Sequence, residues 1–257
     1  FSVAGFEDYE AKLKKRFVML RPADRAEAIW NDATQQAFAR GLEVVEDKGL
    51  LAEVAGLVEW PAVLLGAIDE AYLGLPAEVL QTSMKEHQKY FHVMNSREEL
   101  LPAFITVANI VSKDPKQVIA GNERVIRPRL ADAAFFYEND AKQSLEGRRE
   151  TLKKVVFQDK LGSVFDKTAR VAATAEALSS FTDADPSLAR RAAELSKSDL
   201  VSDMVGEFAD LQGIMGRYYA LNDGEDQQVA EAQLEQYLPR FSGDQIPSTE
   251  VGTTLAL

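Results

Sequence analysis

The stretch Phe104-Ile105-Thr106-Val107-Ala108-Asn109-Ile110-Val111 carries the strongest strand signal in the chain. Its β-branched and nearly continuous apolar residues are typical of a central strand that is buried on both faces. From Leu42 up to this stretch, short β-prone runs alternate with glycines and prolines, which we interpret as strands or strand-helix pairs. This part of the sequence therefore predicts a domain built around a sheet.

Helical patterns flank the predicted sheet on both sides. In residues 6–40 the apolar side chains recur at helical spacing, and Pro22 interrupts this pattern. A second helix is expected to begin at this proline, because proline is favourable in a first helical turn. After Asp114 helical signals dominate, and the clearest helices are predicted at 151–165, 169–179, 187–208 and 227–237. We therefore predict an α+β fold, with a mixed α/β domain at 1–147 and an all-α domain at 148–257.

The net charge argues against a protein held to nucleic acid by a general positive field. The chain has 257 residues with 29 basic and 41 acidic side chains, a formal net charge of -12. Residues 81–129 differ, because eight basic and five acidic side chains give this segment a net charge of +3. A local basic patch can still hold phosphates, since salt screens charges beyond about 8 Å. The alternative is a solvated surface segment.

Composition also limits the chemistry and the cellular compartment. The chain has no cysteine, which excludes disulfides, thiolate metal sites and cysteine nucleophiles and is consistent with a reducing cytoplasm. No apolar run has the length of a membrane helix and no signal peptide is visible, so we expect a soluble protein without a membrane partner. The first residue is Phe1 and the last residues, 254–257, are mostly apolar, so we expect a piece of a longer protein.

No catalytic or metal centre can be assembled from the sequence. The phosphate-binding pattern G-x-x-x-x-G-K-[ST], the dinucleotide pattern G-x-G-x-x-G and the nucleophile elbow G-x-S-x-G are all absent. His87 and His92 are the only histidines, and their spacing of five is poor for ligands on one helix. We therefore expect no catalytic residue, no bound metal and no cofactor in this part of the protein.

Two groups of side chains are candidates for binding phosphate. Arg124, Arg127 and Arg129 lie within six residues, and arginine matches the geometry of phosphate with two parallel hydrogen bonds. Alternatively, these arginines pair with acidic neighbours, namely Glu123, Asp132 and Glu138. Lys85, His87 and Lys89 form the second group. His87 could donate to phosphate, pair with Glu86 or lie in a surface loop or helix cap.

Several longer strings resemble one protein family when they are taken in order. They are LVEWP (57–61), LPAEVL (75–80), SMKEHQKYF (83–91), LPAFITVAN (101–109), GNERVIRPRLADA (121–133), VFQDKLGS (156–163), KSDLV (197–201), MVGEF (204–208) and LQGIMG (211–216). With this order and spacing, the chain resembles the β subunit of bacterial heterotetrameric glycyl-tRNA synthetase. The resemblance implies the later part of an N-terminal α/β region followed by most of a helical domain similar to HD phosphohydrolases.

The resemblance also implies how the work is divided between subunits. In this family the α subunit activates glycine with ATP, while the β subunit binds the tRNA specific for glycine and is needed for transfer. The expected partners are therefore the α subunit and this tRNA, with no role for DNA. True HD enzymes use an adjacent His-Asp pair, whereas this chain has Ser198-Asp199, so we expect no hydrolase activity. Lys197 and Arg217 flank this segment and are further candidate RNA contacts.

Two alternatives to RNA binding follow from the same sequence. The chain could dock the α subunit without touching RNA, which its acidic composition favours, with the basic segment paired inside the fold. Editing of misacylated tRNA by the α/β region rests only on analogy with modules of other synthetases, and we rank it last.

Overall fold

The computed structural model describes all 257 residues as twelve α-helices, six strands and several short 3-10 helices. The helices are α1 Phe6–Lys14, α2 Pro22–Phe38, α3 Lys48–Leu57, α4 Ala77–Gln88, α5 Pro115–Asp140, α6 Leu145–Arg149, α7 Val164–Thr182, α8 Pro186–Leu195, α9 Asp203–Glu207, α10 Ile214–Asn222, α11 Gln227–Glu235 and α12 Glu250–Ala256. The strands are β1 Glu43–Val44, β2 Ala62–Ala67, β3 Phe91–Met94, β4 Leu100–Ala108, β5 Val156–Gln158 and β6 Gly162–Ser163. These elements confirm the predicted α+β class.

The main sheet has four antiparallel strands in the order β1-β3-β4-β2. Strand β4 lies between two neighbours, and it contains the apolar stretch that the sequence predicts as the central strand. The strand ends at Ala108, and Ile110 and Val111 are exposed beyond it. The predicted strand is thus central and extends less far than the apolar run.

Both faces of β4 are buried, as predicted. On one face Ile105 joins a core cluster that includes Ile29 of α2 and Leu50 of α3. On the other face the ring of Phe104 stacks on Tyr90, with the ring centroids 4.4 Å apart. Successive side chains of a strand point to opposite faces, so Ile105 and Phe104 bury the two faces of β4 at this point.

Helix α5 differs from its sequence-based interpretation. The sequence suggests that Pro128 lies at a turn or in a first helical turn, but Pro128 lies inside this 26-residue helix. A proline there removes one backbone hydrogen bond, to the carbonyl of Arg124, and usually disfavours a helix. Ile126 and Leu130 on either side of it are almost completely buried. Burial of these side chains stabilises the helix against the local cost of the proline.

The part of the chain after residue 145 is mainly helical, as predicted, but two of the individual predicted helices are wrong. Residues 151–165 do not form one helix, because β5 and β6 pair there as a short hairpin with Gly162 at a φ of +86°. The predicted helix 187–208 is divided into α8, a 3-10 helix and α9. Its start is correct, since Asp185 accepts hydrogen bonds from the amides of Ser187 and Leu188.

The chain forms two compact units, residues 1–132 and 133–257. The first contains the four-stranded sheet and the second contains helices α6–α12 with the β5–β6 hairpin. The sequence-based domain boundary after residue 147, and the likeness of the second domain to HD proteins, stay predictions. No helix combines the length and the apolar character needed to cross a membrane.

A single buried carboxylate, that of Asp140, organises the start of the helical unit. Its Oδ1 accepts from Arg148 Nη2 and from the Asp203 amide, each at 3.0 Å. Its Oδ2 accepts from the Met204 amide at 2.9 Å and from the Tyr219 hydroxyl at 2.8 Å. Asp140 and Arg148 are 1% and 6% exposed. One side chain therefore joins the end of α5 to α6, α9 and α10.

We expect Asp140→Asn to destabilise the helical unit by about 3 to 5 kcal/mol, because it leaves the buried Arg148 without its counter-charge. Urea unfolding at pH 7 measures this loss. Asp183→Asn is the matched control, since Asp183 is exposed and its positive φ also suits asparagine. Equal stabilities for the two variants would contradict the assigned role of Asp140.

Candidate nucleic-acid interface

The first half of α5 presents two arginines to solvent. Arg124 and Arg127 are three residues apart, which places them within about 60° of each other around a helix of 3.6 residues per turn. Both are exposed. Neither forms an ion pair or a side-chain hydrogen bond with any residue. Their guanidinium groups therefore keep all of their donors available for a phosphate.

The opposite side of the same helix segment holds it against the sheet unit. Asn122 Oδ1 accepts from the Tyr90 hydroxyl at 2.7 Å, and Glu123 Oε1 accepts from the Ala67 amide at 3.0 Å. Arg124 follows Asn122 by two residues, so it points about 200° around the helix from the Tyr90 contact. The inward hydrogen bonds thus fix the direction in which Arg124 faces solvent.

Lys85 and Lys89 differ from these arginines because carboxylates of α3 and its cap hold them. Lys85 Nζ lies 2.6 Å from Asp47 Oδ2, and Lys89 Nζ lies 3.0 Å from Glu53 Oε1. The Asp47 carboxylate raises the pKa of Lys85, and it also accepts from the Leu50 amide as the cap of α3. These two lysines therefore stabilise the packing of α4 on α3 in the free protein.

The remaining candidates of this unit are also engaged. His87 and Arg129 each have an interaction partner in the structure. His87 lies in the last turn of α4, and Arg129 is exposed on α5. Of the six candidates in the sheet unit, Arg124 and Arg127 are the ones that are exposed and without a partner.

The two candidates in the helical unit contact α11 or the residues that follow it. Arg217 Nε lies 3.1 Å from Glu231 Oε1, so this arginine is paired. Lys197 Nζ lies 2.5 Å from Gln236 Oε1 and 4.0 Å from the centre of the Tyr237 ring. Lys197 is thus a largely buried cation whose nearest partners are neutral.

Asp199, which matches the aspartate of the HD motif, has a structural role here. It is 2% exposed, and its Oδ2 accepts from the Gly213 amide at 2.6 Å. A Cβ added to Gly216 would lie 3.1 Å from the same oxygen, so the backbone of α10 packs directly on the carboxylate. Burial raises the pKa of Asp199. Its hydrogen bonds hold the chain before α10 in place.

Two further cations lie near the exposed arginines and are not among the sequence-predicted candidates. Lys113 and Lys116 are exposed, have no partner and lie just before and in the first turn of α5. Lys116 precedes Arg124 by eight residues, a spacing that places both on one side of a helix. This spacing was visible in the sequence, but Pro128 suggested that the helix began later.

Comparison with known proteins places the chain in a family. The sequence model for the glycyl-tRNA synthetase beta subunit matches residues 1–257. The chain belongs to the glycyl-tRNA synthetase beta subunit family. This confirms the resemblance to that family that the sequence shows.

Curated members of the glycyl-tRNA synthetase beta subunit family are similar along this whole chain. The glycine--tRNA ligase beta subunit of Marinobacter nauticus is 55% identical over 97% of this chain and 36% of its own length. Those of a Ruegeria species and of Hahella chejuensis are 52% and 54% identical, over 100% and 99% of this chain and 38% and 37% of their own lengths. The chain thus spans a little over a third of the length of these relatives.

We expect Lys197 to make the stability of this beta subunit chain depend on pH. Burial lowers the pKa of Lys197 from 10.5 to about 8, with Lys167 adding to the effect and Asp199 opposing it. Below pH 8 the lysine is charged in both states, and above pH 10.5 it is neutral in both. Between these values the unfolded chain binds the proton more tightly, so the free energy of unfolding should rise with pH, by about 3 kcal/mol in total.

Urea unfolding at pH 7 and at pH 10, with wild type and Lys197→Met, measures this contribution. Methionine keeps the length of the side chain and removes its charge. The variant should therefore lack the increase in the free energy of unfolding with pH that is due to Lys197. Parallel pH profiles for the two proteins would contradict the expected cost of burying Lys197.

Proposed function

We propose that this chain is the part of a glycyl-tRNA synthetase β subunit that contacts the tRNA specific for glycine through the first half of α5. In this proposal it acts in a complex with the α subunit, which activates glycine with ATP, and it supports transfer of glycine to the tRNA. The names of the relatives support the assignment to a tRNA ligase. The chain itself supplies no catalytic residue.

One observation carries the proposal, namely that Arg124 and Arg127 are exposed cations without partners in a chain whose net charge is -12. Arginine that stabilises a fold is normally paired, as Arg148 is with Asp140. Unpaired guanidinium groups on a rigid helix are suited to bidentate contacts with phosphate. Lys113 and Lys116 extend this positive surface toward the positive end of the α5 dipole, which also attracts phosphate.

Lys85 and Lys89 take a secondary place in the proposal. Their ion pairs are partly exposed, and such pairs contribute only about 0 to 1 kcal/mol, so a phosphate could displace the carboxylates. Binding through these lysines would nevertheless have to replace contacts that already exist. We therefore assign the main phosphate contacts to Arg124 and Arg127, with Lys85 and Lys89 contributing less.

The test is the salt dependence of tRNA binding by the full α-β complex. Each phosphate contact contributes roughly 0.7 to 0.9 to the slope of log K against log salt, so Arg124→Ala with Arg127→Ala should flatten the slope by about 1 to 2 units. Lys85→Ala with Lys89→Ala is the comparison within the same unit and should flatten it less. Lys153→Ala with Lys154→Ala, two exposed cations of the helical unit, should leave it unchanged.

The same variants separate RNA binding from docking of the α subunit. If the proposal is correct, the arginine variant keeps its association with the α subunit and its tRNA-independent activation of glycine, while aminoacylation falls. A variant with an unchanged salt slope that no longer binds the α subunit would refute the proposal and favour the docking function.

A further inference from the structure

The helical unit contains a cleft of about 490 Å³ between α7 and α12, the last helix of this chain. Lys197 and Gln236 lie at the cleft where α8 and α11 end. Val171, Leu178 and Leu255 contribute apolar surface to its walls. A volume between about 300 and 1,000 Å³ is typical of sites for small organic ligands.

Three cations line this cleft, and no Asp or Glu side chain does. They are Lys167 and Arg170 from α7, together with Lys197. None of the three forms an ion pair. Lys167 places its Nζ 4.7 Å from the centre of the Phe157 ring, and Lys197 donates a hydrogen bond to Gln236. This concentration of unpaired positive charge stands out in a chain with twelve more acidic than basic side chains.

Lys197 is the most buried of the three cations, and its burial is the reason to expect an anion in the cleft. A cation that is removed from water without a counter-charge is costly, and proteins normally pair such groups. The neutral contacts of Lys197 with Gln236 and Tyr237 offset this cost only in part, since burial lowers the pKa of Lys197 to about 8. Asp199 attracts the charge of Lys197 but compensates it only in part, because its Oδ2 accepts a hydrogen bond from the Gly213 amide and the pKa of Lys197 stays lowered. An anion in the cleft would offset the cost directly.

We propose that this cleft binds a phosphate ester of nucleotide size, with the phosphate against Lys197, Lys167 and Arg170 and the organic part against Val171 and Leu178. Three positive charges match a phosphate dianion better than a single carboxylate, and the Arg170 fork can bind two of its oxygens. The apolar wall accounts for the organic part. The site is separate from the arginines of α5 and does not depend on their binding tRNA.

Equilibrium titration of the full-length β subunit with adenosine 5′-monophosphate, followed by calorimetry, tests this proposal. Inorganic phosphate should bind more weakly than the nucleotide, and adenosine without phosphate should not bind. Lys197→Met, and separately Lys167→Met with Arg170→Met, should each weaken nucleotide binding at least tenfold. Lys154→Met is the control, because Lys154 is an exposed lysine outside the cleft, and it should bind as the wild type does.

Two further measurements make the result specific. Arg124→Ala with Arg127→Ala should keep full nucleotide affinity, so failure of the tRNA proposal does not imply failure of this one. Displacement of the bound nucleotide by tRNA would assign the cleft to a nucleotide of the RNA, whereas simultaneous binding would assign it to a free nucleotide. Absence of saturable binding by the wild type, or equal binding by wild type and both cleft variants, would overturn the proposal.

Discussion

The hydrogen bonds of Asp140 are the interaction on which the helical unit depends most. Four donors from three parts of the chain meet on its two oxygens, and one of them belongs to the buried guanidinium of Arg148. A charged pair of this kind fixes geometry more than it adds stability, because both groups lose water when they are buried. Its main effect is to hold α6, α9 and α10 in defined positions.

Ion pairs with carboxylates also determine which basic side chains remain available for ligands. Lys85, Lys89 and Arg217 contact carboxylates of neighbouring helices, so they contribute to the packing of the free protein. Arg124 and Arg127 have no such partner, and the cleft cations of the helical unit have none either. An acidic protein can therefore present local positive surfaces, because screening at physiological salt confines the effect of a charge to about 8 Å.

The sequence predicts those features that depend on local chemistry. The β-branched stretch around Phe104 gives a strand and Pro22 begins a helix, as expected. The sequence could not reveal that Pro128 lies within a helix, because burial of Ile126 and Leu130 on either side outweighs the local preference. It also could not distinguish paired from unpaired cations, since Asp47 and Glu53 lie more than thirty residues from the lysines that they contact. The sequence does not identify Lys167 and Arg170 as candidate ligand contacts, because only the fold brings them together with Lys197.

Site-specific cross-linking can show whether Arg124 contacts tRNA in the complex with the α subunit. A photoreactive residue is placed at position 124, or for comparison at position 154, in the full α-β complex with tRNA bound. If Arg124 contacts tRNA, we expect a cross-link from position 124 to tRNA and none from position 154. A cross-link from position 124 to the α subunit, with none to tRNA, would contradict it and show that this face of α5 is a subunit interface.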